Sequence, residues 1–366
     1  MCILRKNRYT LKKIQGIAVL FTIFGGKIMK YITFTVPSYN SESYMRRCID
    51  SLLVGGEDVE ILIINDGSTD KTGAIADEYE ALYPNIVRTV HKENGGHGSG
   101  VNKGLELAQG LYFKVVDSDD WLDKEAYLKL LAQLKAFENA FPDLIICNYV
   151  YDHLDEEIEK PMNYKNVFPK EKICDWNTIG HFRPSQYLIM HSLMFQTKVL
   201  RASGIKLPEH TFYVDNLFSY KPLPYAKSLY YMDINLYHYY LGREDQSVNE
   251  KVLMKRIDQQ IRVTELVAES VDLKEVKKKY PKLAVYMMRN ISIMLSISSI
   301  HLLLIKTEEA WEKRKKMWEQ VRTHDKALYY RLRCSTLSGL TYLPGKLGGK
   351  ITIGGYRMAR KIYQFQ

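Results

Sequence analysis

Val59-Glu60-Ile61-Leu62-Ile63-Ile64, followed at once by Asn65-Asp66-Gly67-Ser68, is the stretch on which the fold turns. A nearly continuous apolar run of this length reads as a β-strand covered on both faces, the condition of a parallel sheet lying between helices. The four residues after it carry strong turn chemistry and no functional content of their own. Working outward, Ile32-Thr33-Phe34-Thr35-Val36 and residues 86–90, 111–116 and 144–150 read as further strands. Between them, Tyr44/Ile49/Leu52/Leu53, Ile75/Ala76/Tyr79/Leu82, Val101/Leu105/Ala108 and residues 123–137 recur near helical spacing. Ser41 is the expected cap of the first helix, and Gly55-Gly56 its end. Alternation of this kind predicts βα units in an α/β architecture.

In such sheets ligands bind in the crevice beyond the carboxyl ends of the strands. Three polar clusters follow strand ends: Pro37-Ser38-Tyr39-Asn40, Asn65-Asp66-Gly67-Ser68 and Asp117-Ser118-Asp119-Asp120. Each alone is compatible with an ordinary turn, but their convergence points to a site. The aspartates add chemistry, because carboxylates crowded behind a buried strand repel one another unless something positive joins them. Hard oxygen ligands suit Mg²⁺ or Mn²⁺, ions that also hold phosphate oxygens.

Three stretches, Val36-Pro37-Ser38-Tyr39-Asn40, Ile63-Ile64-Asn65-Asp66-Gly67-Ser68-Thr69-Asp70 and Val115-Val116-Asp117-Ser118-Asp119-Asp120-Trp121, resemble in order and spacing family 2 of the inverting glycosyltransferases, of bacterial polysaccharide-synthesis type. The resemblance covers residues 31–122 well and continues more weakly to 247. It implies a GT-A, Rossmann-like mixed and mainly parallel sheet flanked by helices, and a nucleotide-sugar donor, uridine being the family default. It further implies that Pro37, Tyr39, Asn40, Asp66, Asp117 and Ser118 surround the nucleotide, and that Asp119, with Asp117, ligates Mn²⁺ or Mg²⁺. Asn102 matches the end of a segment that in the family commonly runs Ala-Arg-Asn, with Val101 where the arginine is common. Phe212-Tyr213-Val214-Asp215-Asn216 resembles the family's Glu-Asp motif and makes Asp215 the general base, with a helix N-cap as the alternative role. His238 is an expected late metal ligand, and Arg243 with Gln246-Ser247-Val248 an expected closure over the diphosphate. Trp121, Asp120 and His191 are candidates for the acceptor side, core packing being the competing reading for Trp121 and His191.

The chain of 366 residues has room for more than one unit. The expected division is a basic and apolar extension over 1–29, a catalytic unit over 30–249, a helical region over 250–325 and a basic tail over 326–366. Within the catalytic unit, 30–122 is the donor half and 123–249 the acceptor half. The N-terminal segment joins Arg5 and Lys13 to a short apolar run over 14–24, less than the roughly 20 residues a membrane span needs. It reads as an interfacial anchor or as an extension before a working start at Met29. The tail carries eight Lys and Arg, interleaved with Leu, Ile and Tyr and with no Asp or Glu, a composition suited to an anionic membrane surface. The formal charge of +10 is thus concentrated at the ends, and no nucleic-acid partner is expected. Five scattered cysteines without close pairing read as reduced thiols. The expected location is cytoplasmic, peripheral on the inner face of the plasma membrane, with a glycan or lipid-linked acceptor in capsule, exopolysaccharide or cell-wall synthesis.

Rival classes fare less well. Gly95-Gly96-His97-Gly98-Ser99-Gly100 lacks the G-x-G-x-x-G spacing of a dinucleotide site and does not follow the first strand. A sugar-1-phosphate nucleotidyltransferase calls for a Gly-rich, basic loop after the first strand, where Pro37-Ser38-Tyr39-Asn40 stands instead. A non-catalytic scaffold of a polysaccharide assembly complex has no need of Asp66, Asp117, Asp119 and Asp215 together.

Overall fold

The structure, a computed structural model, describes residues 29–153, 158–241 and 250–363. The N-terminal segment over 1–28 and the expected closure residues Arg243 and Gln246-Ser247-Val248 lie outside the described residues.

A first run of βα units spans β1 (Ile32–Ser38), α1 (Met45–Leu53), β2 (Val59–Asp66), α2 (Thr72–Leu82), β3 (Val87–Lys92), α3 (His97–Leu107) and β4 (Tyr112–Val115). Strands β1 and β2 are buried at every position, as their continuous apolar runs require. β2 pairs in parallel with both β1 and β3, and β4 lies parallel on the other side of β1. Helix α3 sits so close to β1 that a Cβ at Gly104 would stand 1.9 Å from the Thr35 hydroxyl oxygen. Helix α1 begins at Met45 rather than at Ser41. The Ser41 carbonyl accepts from the amides of Tyr44 and Met45 in a preceding turn, while its hydroxyl is drawn 2.7 Å from that of Ser118.

The second run comprises β5 (Trp121–Leu122), α4 (Lys124–Ala136), β6 (Leu144–His153), β7 (Ile158–Met162), β8 (Ile173–Cys174), β9 (Leu193–Gln196), α5 (Thr197–Ala202), α6 (Asp215–Tyr220) and β10 (Leu229–Leu241). β9 runs antiparallel between β4 and β6, while β6 and β10 are parallel, so the order β3-β2-β1-β4-β9-β6-β10-β5 makes one mixed sheet. Asp123 caps α4 by accepting from the Ala126 amide at 2.8 Å, while the Asp117–Asp120 cluster precedes that helix without capping it.

Among the described residues eight helices follow: α7 (Glu250–Lys255), α8 (Ile257–Glu269), α9 (Leu273–Lys279), α10 (Pro281–Ile305), α11 (Glu308–His324), α12 (Lys326–Ser335), α13 (Leu337–Leu340) and α14 (Gly345–Tyr363). α10 is long and apolar enough by length and composition to cross a membrane, yet Leu283, Tyr286, Met287, Ile291 and Leu295 are buried in the core it shares with the sheet region. Its side chains also grip the irregular segment between β8 and β9. The Lys282 amine donates to the Ile179 carbonyl at 2.6 Å and the Tyr286 hydroxyl accepts from the Leu188 amide at 2.9 Å. The Arg289 guanidinium donates to the carbonyls of Phe182, Arg183, Pro184 and Gln186.

Candidate active site

Parallel pairing of β2, β1 and β4 sets their carboxyl ends side by side, and side chains then bind the three following loops to one another. Asn40, with φ at +49°, donates its amide to the Ser68 hydroxyl at 3.0 Å and accepts from the Thr69 amide at 2.9 Å. The Ser41–Ser118 contact joins the first loop to the third. The Tyr39 ring stands half-exposed beside them.

Asp66, at the end of β2, is buried in a cradle of donors. The Lys92 amine at 2.6 Å and the Gly95 amide at 2.9 Å share one carboxylate oxygen, and the Gly96 amide reaches the other at 2.7 Å. Gly67, with φ at +72°, leaves the chain just enough room to turn beneath the Asn94 amide. Most of the acceptor capacity of Asp66 is thereby spent on shaping the loop between β3 and α3. Asn102 is a brace between segments: its side-chain amide donates to the Leu207 carbonyl at 2.8 Å and accepts from the Leu207 amide at 2.9 Å. Pro37 backs onto α3 at Gly100.

The aspartate loop after β4 is held from both sides. From α1, Arg47 donates to the Asp119 carbonyl at 2.9 Å and lays its guanidinium 3.7 Å from the Trp121 ring centre. From β10, the Tyr237 hydroxyl accepts from the Asp117 amide at 3.1 Å and donates to Asp120 at 2.5 Å, while the Tyr240 amide donates to the other Asp120 oxygen at 2.9 Å. Asp120, expected on the acceptor side, is thus fully enclosed with both oxygens engaged. Burial first, then the charges of Asp119 and Asp117, push its carboxyl well above the usual range. Asp117 behaves oppositely. Burial would raise it, but His97, whose Nε2 lies 2.8 Å from its Oδ1, outweighs that and holds it below the usual range.

His97 is the residue that sequence reasoning missed. It opens α3, and although burial lowers its basicity, the charge and hydrogen bond of Asp117, with further contributions from Asp215 and Asp119, leave it raised. The signal was present, since β3 also ends in the crevice and His97 follows it, but the residue was read only within a glycine run. Asp117, Asp120 and His191 bring a ligand atom each within 4.8 Å of one another. His191 is buried against the rings of Tyr237 and Tyr239, at centroid distances of 4.5 and 4.4 Å, and its Nδ1 is buried with no hydrogen-bond partner. Burial lowers it to about 4, so the ring is neutral at ordinary pH. Beneath it, the buried Lys114 amine donates to the His191 carbonyl at 2.7 Å and is lowered by burial to about 8.

His238, expected as a metal ligand, is not brought to this cluster. Successive residues of a strand face opposite sides. Tyr237 therefore reaches the aspartates, while His238 bonds to Asp152 at 3.0 Å, stacks on Trp121 and borders a polar groove that includes Lys129, Lys165 and Asp233. That same stack, with Arg47 on Trp121, accounts for the tryptophan as a packing element.

Asp215 is the first residue of α6, one place after its cap Val214, and its carboxylate accepts from the backbone amides of Asp215 and Asn216. Burial raises its carboxyl above the ordinary value, the charge of Asp117 adds to this and His97 opposes it, so the three groups share one electrostatic neighbourhood. The loop leading to Asp215 passes through positive φ at His210 and Tyr213 and leans on the Asp66 cradle through the His210 amide, which donates to the Gly95 carbonyl at 2.6 Å. Helix α8 holds it from behind: Gln259 accepts from the Phe212 amide at 2.8 Å and Arg262 donates to the Thr211 hydroxyl at 3.0 Å.

A family model described as "Glycosyl transferase family 2" matches residues 33–195, the region that carries these loops. The Uncharacterized glycosyltransferase MG025 homolog of Mycoplasma pneumoniae is 30% identical over 227 residues, which cover 60% of this chain and 70% of that protein. The chain belongs to glycosyltransferase family 2. Another member, the Putative glycosyltransferase EpsH of Bacillus subtilis, is 31% identical over 217 residues, 57% of this chain. This match covers 60% of the length of EpsH. Among solved structures, that of S. aureus TarS residues 1–349 in complex with UDP-GlcNAc superposes with a TM-score of 0.63 over 92% of both chains at 19% identity. The family's GT-A fold, with helices following the sheet, is therefore shared by this glycosyltransferase family member.

Proposed function

We propose that the protein transfers a sugar from a nucleoside-diphosphate donor, of uridine type, to a hydroxyl of a glycan or lipid-linked acceptor with inversion, in the building of capsule, exopolysaccharide or cell-wall glycan. The observation that carries this reading is the shared neighbourhood of Asp117, Asp119, His97 and Asp215 beyond the sheet. Pro37, Tyr39, Asn40, Asp66 and Ser118 line the nucleotide side, and Asn102 fixes the segment beside them. TarS, with the same fold, binds UDP-GlcNAc, which supports a uridine donor.

The acceptor hydroxyl attacks the anomeric carbon as the bond from that carbon to the diphosphate oxygen breaks. Asp215 takes the hydroxyl proton, a task suited to a carboxylate whose basicity burial has raised. The diphosphate leaves with extra negative charge. His97 supplies positive charge on that side, in a helix whose fifth residue, Val101, stands where the family commonly has arginine. The donor set also fits a divalent ion, since burial and then the charges of Asp119 and Asp117 displace Asp120 upward, and a cation relieves the repulsive part. Asp117 and Asp119 would hold Mn²⁺ or Mg²⁺, whose chemistry there is neutralisation of the leaving diphosphate.

Residues 30–122 act as the donor half, 123–249 as the acceptor half, and 250–325 as a helical support. The protein works at the cytoplasmic face of the plasma membrane as a peripheral enzyme. A panel of sugar nucleotides, each with and without Mn²⁺, tests the reading by thermal stabilisation. A ligand at a hundred times its dissociation constant adds about 2.7 kcal/mol. A metal-dependent shift with uridine donors, lost in Asp119→Ala, is expected. No shift with any sugar nucleotide would overturn the reading.

A further inference from the structure

Helix α14 has three distinct faces. Gly348, Gly349 and Thr352 are buried, and a Cβ at Gly349 would stand 2.7 Å from the Trp311 ring, so this glycine side seats the helix against α11. The Thr352 hydroxyl adds a bond to the Leu340 carbonyl at 3.1 Å. Away from that face, Leu347, Ile351 and Met358 are 73%, 58% and 65% exposed. Spaced i, i+4 and i+11, they fall within about 40° of one another around the helix. Lys346, Lys350 and Arg357 repeat the same spacing one residue earlier and form a parallel stripe roughly 100° away. Leu337 and Leu340, on α13 beside it, are likewise mostly exposed.

Large apolar side chains aligned in water on a helix already seated by its opposite face call for a partner. Charge says which. From Lys326 to the end the sequence carries eight cations and no acidic side chain. The acidic groups reaching this helix from neighbouring elements are Glu250, which engages Arg360 and Tyr356, and Glu308, 3.9 Å from Lys346. Among the described residues, neither Lys350 nor Arg357 has an ion-pair partner. An apolar stripe bordered by a cationic one, on a helix lying along the surface, matches the two layers of an anionic bilayer: acyl chains for the leucine side and headgroups for the lysine side.

We propose that the Leu347/Ile351/Met358 stripe, with Lys350 and Arg357 beside it, is the membrane-docking face of this protein and takes an anionic lipid surface. The proposal deepens the peripheral location given above and rests on it. Buried apolar area and surface charge contribute separately, so they are separable by experiment.

The full chain is co-sedimented with vesicles of phosphatidylcholine alone and with phosphatidylglycerol added. The wild type is expected on the anionic vesicles. L347S/I351S/M358S, all at exposed positions, is expected to lose more than tenfold in partitioning. K350A/R357A is expected to lose about fivefold per cation, and only on the anionic vesicles. Both variants are expected to keep the thermal midpoint and the donor-induced shift of the wild type. Failure of the wild type to bind either vesicle, or equal binding by wild type and triple variant, would overturn the proposal. So would a concentration-dependent dimer that the triple variant dissolves, since the stripe then covers a second copy. If the transferase reading alone fails, the donor-induced shift is missing while vesicle binding persists.

Discussion

Replacing His191 by glutamine isolates the electrostatic state of the site's inner wall. The ring is enclosed between Tyr237 and Tyr239, its Nδ1 has no partner, and burial holds its basicity at about 4 against an ordinary 6.5. A histidine lowered in the fold contributes stability that is fully present above its unfolded value and is lost as pH falls towards its folded one. The difference between these two values corresponds to about 3 kcal/mol once both have been passed. At about pH 5 the same linkage removes about 2 kcal/mol, and at about pH 7.5 it removes almost nothing. Asp117, held below its usual range, loses its own share at lower pH than this window. Urea denaturation of wild type and His191→Gln at the two pH values reads the effect as a difference of differences, so other titrating groups cancel. The wild type should weaken on acidification by about 2 kcal/mol more than the variant. Equal acid sensitivity in the two proteins would refute the reasoning and put a proton, or a partner for it, on the ring. The functional corollary is that His191 carries no positive charge at working pH and leaves that role to His97.

Asp215→Asn should lower kcat by roughly 10²–10⁴-fold with donor binding retained, read by turnover and donor-induced thermal shift. Because burial raises Asp215, its ionised form costs stability as pH rises through the folded value. The variant should therefore melt higher than the wild type near neutrality, and the advantage should vanish below the ordinary aspartate value. His97→Ala should raise the donor KM and allow Asp117 to titrate at higher pH, with His97→Gln restoring the hydrogen bond but not the charge, as donor titrations at several pH values will report. Arg289→Ala removes the clamp on residues 182–186 and should raise the acceptor KM with little change for the donor, at a stability cost of about 1–3 kcal/mol in chemical denaturation.

The donor-side half of the fold was legible because its strands are buried on both faces and leave unbroken apolar runs, as at residues 59–64. The polar loops after β1, β2 and β4 could be placed beyond the sheet for the same reason. What escaped was set by tertiary partners. The start of α1 moved to Met45 because Ser41 is spent on Ser118. The turning of His238 away from the aspartates depends on the pleat of β10, a thirteen-residue strand with register shifts between Met232 and Tyr237 that no local pattern announces. His97 gains its role only when β3 is seen to end beside β2, which brings α3 to Asp117 across twenty residues of chain. Asp120 reads as one carboxylate among three in its cluster until Tyr237, more than a hundred residues on, is seen to close over it.

Lys282 and Arg289 reach across from α10 and hold only main-chain carbonyls of the segment between β8 and β9, while Tyr286 takes a main-chain amide. A grip on carbonyls and amides is indifferent to the side chains that the gripped residues carry. The path of this segment is therefore set largely by the helix, and its exposed side chains can change without loosening that grip, unlike Phe182, whose ring lies 4.3 Å from that of Tyr286, or the buried Ile179 and Leu188. Substitutions at those exposed positions can accumulate in such a frame while the sheet and the aspartates keep their spacing.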